Sequence, residues 1–318
     1  MTQVPLSDLG RYDALYLSPH GDDAVLACLG RMRAERSRGE RVLILALFES
    51  EPSPLAAAVS ELGVEVALAS LGPATQRRSG APYRSIGFER ADLDSEAFEA
   101  VVRILADVGP RVRPRQVYVP LGVGGHIDHR LVHEAALQVL TDEPGRNLFL
   151  YEERPEAFAP GAVRVRLGLL GARLPPGAAN AAERAGLTRY LMRVHAAPSL
   201  RGDLRGWSDR FGSYGAAAGE WRSARVWNSQ KAFGPRLQPV VHAGDAEALN
   251  AVLTVGARLL PALGSRKRAP DRWRAAASTY ARKLGAADYA ERYWLLLPNL
   301  PGATQPARRE ELEAAAVR

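Results

Sequence analysis

Through residues 1–160, short apolar runs alternate with stretches in which apolar positions recur every three to four residues. Such a pattern predicts strands exchanging with amphipathic helices. Ala14–Ser18 (ALYLS) reads as a first strand. Pro19 to Asp23 follows as a loop, and Val25, Leu26, Leu29 and Met32 then share one face of a helix that closes near Gly39. The run 41–48 (RVLILALF) reads as a second strand, 54–62 as a helix and 64–68 as a third strand. A helix over 97–108 precedes a strand at 116–121 (QVYVPL), and a helix over 131–140 precedes Asn147–Tyr151 (NLFLY). Successive β-α units predict an α/β fold, a Rossmann-like parallel doubly wound sheet with right-handed crossovers, occupying residues 1–160 as the core.

Beyond residue 160 the alternation weakens. The stretches 178–195, 245–263 and 271–294 keep helical spacing, while 198–227, rich in Gly, Ser, Arg and Trp, reads as a long loop or lid. Residues 161–318 are therefore expected to form a mainly helical extension that packs on the core and shapes the substrate site. Charge divides the same way. Residues 1–160 hold 17 arginines against 23 acidic residues, whereas 161–318 hold 25 basic against 12 acidic and all five tryptophans: Trp207, Trp221, Trp227, Trp273 and Trp294. A basic, Trp-bearing half suits an anionic or sugar-like ligand, although arginines that merely solvate helices would give the same count.

Apolar residues at 47% and charged residues at 24% exclude a disordered chain. No apolar run approaches the roughly 20 residues of a membrane helix, and the first residues lack a cationic flank leading into an apolar core. A soluble, cytoplasmic protein with no membrane partner is expected. Cys28 is the sole cysteine, which excludes an intrachain disulfide and a thiolate-built zinc site; it reads as a small buried hydrophobe.

Candidate chemistry gathers in two short stretches, each just after a predicted strand and opening a predicted helix. They are Ser18-Pro19-His20-Gly21-Asp22-Asp23 and Gly124-Gly125-His126-Ile127-Asp128-His129. Open α/β sheets hold ligands beyond the carboxyl ends of their strands. Imidazole and carboxylate together suit a divalent metal, Zn²⁺ or Fe²⁺, in a site that keeps an open position. Asp22, Asp23 and Asp128 could instead cap helices, but capping gives no reason for histidines beside them at two strand exits. His133, four residues after His129, offers a competing ligand pair on one helix. His195 and His242 lack acidic or histidine neighbours at ligand spacing. Ser18-Pro19-His20 is no nucleophile elbow, because no Gly-x-Ser-x-Gly surrounds it.

The two motifs together resemble the signature pair of the PIG-L/LmbE-like metal-dependent N-deacetylases. The flanks Leu62-Gly63-Val64 and Tyr151-Glu152-Glu153-x-Pro155 are similar as well, and the stretch 280–294 is similar to the C-terminal helix of that family. The resemblance covers about residues 12–156. It implies His20, Asp23 and His129 as metal ligands, Asp22 as general base, and His126 as catalytic acid or oxyanion donor, with Asp128 holding the His126 ring and favouring its imidazolium. Gly21 stands where many members carry proline, and Ala24 where many carry glutamate. No substrate-binding signature maps onto 51–78; Arg77, Arg78 and Arg84 are the nearest candidate cations.

The implied activity is removal of an N-acetyl group from an amino sugar, an N-acetylglucosaminide-like and anionic small molecule, releasing acetate and a free amine. A metal-dependent phosphoesterase or thiol-conjugate amidase would use the same metal-activated water. A nucleic-acid-binding role could draw on the stretch 265–274 (SRKRAPDRWR), but the acidic first half would repel phosphates.

Overall fold

Alternate residues of each central strand are buried on opposite faces. In β1 (Ala14–Ser18), Leu15 and Leu17 enter one hydrophobic cluster, and Ala14 and Tyr16 the other. In β2 (Val42–Ala46), Leu43 and Leu45 divide likewise from Val42, Ile44 and Ala46. Every residue of both strands is buried, as expected for parallel strands covered on both sides. The computed structural model describes residues 3–49, 53–77, 94–141, 143–158, 161–176, 178, 234–259 and 269–298.

With β3 (Glu65–Leu68), β4 (Gln116–Pro120), β5 (Asn147–Tyr151), β6 (Arg236–Gly244) and β7 (Tyr289–Leu297), the strands form one sheet of order β3-β2-β1-β4-β5-β7-β6. The first five are parallel, and β7 joins β5 antiparallel, with β6 antiparallel beyond it. Helices α1 (Asp23–Ser37), α2 (Leu55–Val59), α3 (Ala74–Arg77), α4 (Ser95–Val112), α5 (Ile127–Leu140), α6 (Ala162–Leu169), α7 (Ala246–Leu259) and α8 (Ala269–Lys283) flank it. Helix α4 buries Ala97, Val101, Leu105, Val108 and Val112, a single stripe at helical spacing. That stripe joins the cluster of Leu15 and Leu17, together with Leu131, Val132, Ala135 and Ala136 of α5. The opposite cluster takes α1 and α2, with Leu249 and Val252 of α7 and Trp273 and Ala277 of α8.

The α/β fold class and the five parallel strands match the sequence pattern. The expected single helix over 271–294 does not form. Helix α8 stops at Lys283, Gly285 turns the chain at φ +80°, and Tyr289–Leu297 is strand. Its period of two is legible afterwards: Tyr289, Tyr293 and Leu295 enter one core cluster while Trp294 enters the other. Helical spacing fitted this stretch only because nearly all its residues are apolar or long. The second half therefore contributes two strands besides its helices. The stretch 198–227 and residues Arg78, Arg84, His195, Trp207, Trp221 and Trp227 lie outside the described residues.

From β1 the chain proceeds outward through β2 and β3, then returns to the other side of β1 with β4 and β5. A crevice opens at such a reversal, beyond the carboxyl ends of β1 and β4. Both motif stretches leave the sheet there.

Candidate metal centre

The first loop folds on its own polar groups. The Ala24 N–H donates to Ser18 Oγ (3.0 Å), the Ser18 hydroxyl bonds the His20 carbonyl, and the His20 N–H donates to Asp23 Oδ2 (2.8 Å). Gly21 uses the N–H that proline would lack, donating to Glu49 Oε2 at 2.8 Å. A Cβ there would stand 2.9 Å from the same oxygen, so glycine and Glu49 fit as a pair. Asp22 occupies the N-cap position of α1 but makes no side-chain capping bond, which leaves its carboxylate available. The capping alternative fails at this residue.

The second loop turns at Gly122, whose φ of +84° disfavours a side chain. The N–H groups of Gly122 and Val123 donate to the two oxygens of buried Glu153 (2.5 and 3.1 Å). Helix α5 then begins, with Asp128 and His129 in its first turn and His126 as its N-cap.

These loops bring three imidazoles together, with ring centroids 5.1 to 5.3 Å apart among His20, His126 and His129. Asp23 Oδ2 lies 3.1 Å from His20 Nδ1 and 3.2 Å from His129 Nε2. One donor atom from each of His20, Asp23 and His129 falls within 4.8 Å of the others; His20, His126 and Asp128 form a second such group. The outward nitrogens of the first group are each held by a further carboxylate. His20 Nε2 meets Asp128 Oδ2 at 3.0 Å, and His129 Nδ1 meets Glu153 Oε1 at 3.3 Å.

Asp128 is therefore engaged differently from expectation. Its Oδ2 takes His20 and the Ala74 N–H (3.0 Å), and its Oδ1 takes Arg77 (2.7 Å). His126 Nδ1 accepts instead from the Asp128 main-chain N–H at 3.2 Å. Arg77, a candidate substrate cation, also binds Asp94 and the Gly72 carbonyl, so its guanidinium braces the site from the side. His133 turns away, Nδ1 bonded to the Pro120 carbonyl at 2.8 Å, and joins neither donor group among the described residues. His242 lies on β6. Cys28 is buried as expected.

The electrostatics follow from burial and these partners. Desolvation, then the charge of Asp23, pushes Asp22 up to about 6. Burial would lower His20, but the hydrogen bonds to Asp128 and Asp23 outweigh it and raise the ring to about 9. Burial alone would raise Asp128; its bonds from His20 and the Ala74 N–H bring it down to about 2. His126 is pushed down to about 4 by desolvation and by its neighbours His129 and His20. With Nδ1 accepting, that ring is neutral and carries its proton on Nε2, where an imidazolium was expected.

Sequence reasoning assigned no role to Glu153, Glu49 or Glu156. Glu153 stood in a noted flank, and only the fold reveals what it holds. Glu156 follows β5 with its Cγ near Gly124. Desolvation raises its carboxyl to about 7.

Residues 15–140 match the family model PIG-L, described as GlcNAc-PI de-N-acetylase. Residues 15–140 are thus similar to that family model, in keeping with the resemblance seen in the two motifs. A 2'-N-acetylparomamine deacetylase from Streptomyces fradiae is 31% identical over 188 residues, covering 52% of this chain and 65% of that relative's length. Among solved structures, the A40926 pseudoaglycone deacetylase superposes with a TM-score of 0.54 at 17% identity, over 92% of this chain and 99% of that one. The zinc-inhibited form of a teicoplanin deacetylase gives 0.54 at 17% identity, over 89% and 97%. At those identities the two structures speak for a shared fold.

Proposed function

We propose that this protein is a divalent-metal-dependent hydrolase that removes an N-acetyl group from an amino sugar. One observation carries the reading. His20 and His129 turn one nitrogen each toward Asp23, while their outer nitrogens are fixed by Asp128 and Glu153. Carboxylates behind imidazoles are the usual support of metal-ligating histidines, setting tautomer and ring orientation. Two imidazoles and a buried carboxylate, with no thiolate among them, suit Zn²⁺ or Fe²⁺. His20, Asp23 and His129 would hold the ion. The alternative group is disfavoured because both Asp128 oxygens and His126 Nδ1 are already engaged. When bound, such an ion polarises an amide carbonyl and acidifies water.

The chain's own groups do the rest. Asp22, free of capping duty and raised toward neutrality, accepts the proton of the attacking water at its carboxylate. His126 offers its Nε2 proton to the carbonyl oxygen as negative charge develops there, a role that suits a neutral ring. Asp128 and Glu153 are positioning residues. The similarity to a sugar N-deacetylase supports the amide as the bond cleaved and an amino sugar as the substrate. The phosphoesterase and thiol-conjugate amidase readings gain no comparable support.

The test combines metal analysis of the purified protein with acetate release from N-acetylated amino sugars, for wild type and Asp22→Ala. Zinc and iron are supplied in separate arms, with excess zinc tested apart because one solved relative is a zinc-inhibited form. The variant is expected to keep its metal and lose turnover by about two to four orders of magnitude. Equal activity removes Asp22 from the mechanism, and phosphate release without acetate overturns the deacetylase reading.

A further inference from the structure

We propose that the amino edge of the same sheet holds a binding site for a small anion bearing a chain of phosphoryl groups. A cleft of about 400 Å³ opens there, lined by Arg11, Tyr12, Asp13, Arg41, Arg113 and Arg115. The main chain of Asp13, one of the lining residues, is held by two neighbours: the Asp13 N–H donates to the Arg41 carbonyl, and the Arg115 N–H donates to the Asp13 carbonyl. Arg41 and Arg115 immediately precede β2 and β4, and Asp13 precedes β1. Arg113 follows the end of α4. Three strands and a helix end thus aim four cations at one space, in the half of the chain where acidic residues outnumber basic ones.

Little in the described structure neutralises them. Asp13, whose Oδ2 accepts from the Arg41 main-chain N–H, and Glu65, 3.0 Å from the Arg41 guanidinium, both offset the charge of Arg41. All four arginines are exposed. The guanidinium groups of Arg11 and Arg115 have no hydrogen bond or ion pair among the described residues. Arginines at helix ends often serve only to complement terminal carbonyls. Arg113 does so, with Nε donating to the Pro110 carbonyl at 3.0 Å. Arg11 and Arg115 come from segments that lead into strands, so that explanation does not cover them. Arg113 also adopts the left-handed conformation, φ +48°, which glycine would hold with less strain. Its main-chain N–H closes the helix on the Gly109 carbonyl, which leaves Arg113 beside the three other cations.

Phosphoryl groups suit the arrangement best. Planar guanidinium forks arriving from several directions match oxygens spread tetrahedrally over linked phosphates better than one flat carboxylate. Arg41 lies over the Tyr12 ring, 4.4 Å from its centroid, which orients that fork. A five-residue strand separates this edge from the metal-type cluster by roughly 16 Å, so the cleft is no part of the candidate catalytic centre.

The experiment is titration calorimetry of the metal-loaded full chain with pyrophosphate and, separately, adenosine diphosphate, at low and raised salt. Wild type is expected to bind pyrophosphate saturably, more weakly as salt rises. Binding should fall at least about tenfold in the double variant R11E/R115E and persist in H129A titrated without metal, which excludes chelation at the metal-type cluster. Adenosine diphosphate binding as tightly as pyrophosphate, or more so, assigns the site to nucleotide phosphates; weaker binding assigns it to free oligophosphate. Absence of saturable binding, equal binding by R11E/R115E, or loss in H129A each overturns the proposal. Should the double variant fail to fold, R113G serves. It is expected to match or exceed the wild-type melting temperature yet bind more weakly, and unchanged binding overturns the proposal.

Discussion

The two edges of the sheet are built from the same strands and hold opposite kinds of charge. At the carboxyl edge, His20 and His129 each lie between two carboxylates, Asp23 and either Asp128 or Glu153, and most of these groups are buried. At the amino edge, four exposed arginines share a cleft with little acid to answer them. Paired charges out of water fix geometry and protonation, which is what metal and proton chemistry require. Like charges left at a surface fix little and attract counter-ions. The contrast teaches that partners, more than residue types, decide what an edge can do.

The largest expected effect comes from breaking the paired edge outright. His129→Ala removes one proposed ligand and the link to both Asp23 and Glu153, so metal content and acetate release should disappear together; a variant that retains stoichiometric metal would move the site elsewhere. A second effect concerns the buried imidazole without an acidic partner. His133 is pushed down to about 3 by desolvation and by Arg166. Because the unfolded chain takes up that proton first, stability falls as pH drops from 6.5 toward 3 and is independent of this ring above that window. Denaturant titrations at pH 7 and pH 4.5 should show a drop for wild type about 3 kcal/mol larger than for His133→Asn. Equal drops would mean the ring is already charged.

Removing the supporting carboxylates should cost less than removing a ligand. Asp128→Asn and Glu153→Gln are each expected to weaken metal affinity by about 10- to 100-fold, read by competition with a chelator. If Asp128→Asn instead left affinity intact and lowered only kcat, the carboxylate would serve His126 rather than His20. Smallest of all, R11E/R115E at the unpaired edge should leave acetate release unchanged and shift stability by no more than about 0.5 kcal/mol. A large loss of turnover would show that the two edges are coupled.

Much of the core was legible along the chain. The short apolar run from Ala14 announces a strand buried on both faces, and Val101 and Leu105 at helical spacing announce a helix, because burial selects apolar side chains wherever an element meets the core. The motif loops were legible because His, Asp and Gly cluster at strand exits. Strand β7 was not, since Tyr289 to Leu297 offers apolar or long side chains at almost every position and satisfies either period. Nor was the partner of Asp128. One residue separates it from His126 in sequence, yet its carboxylate turns to His20 across the β1–β4 crevice.

By itself, then, the sequence determined the strand and helix order of the first half, the residue types at the two strand exits, and the uneven division of charge. Which imidazole meets which carboxylate, the brace from Arg77, the addition of β7 beside β5, and the gathering of Arg11, Arg41, Arg113 and Arg115 were decided only in three dimensions. Periodicity is set by neighbours a few residues apart. Contacts between residues as distant as His20 and Asp128 depend on which strands lie side by side, and no local pattern encodes that order.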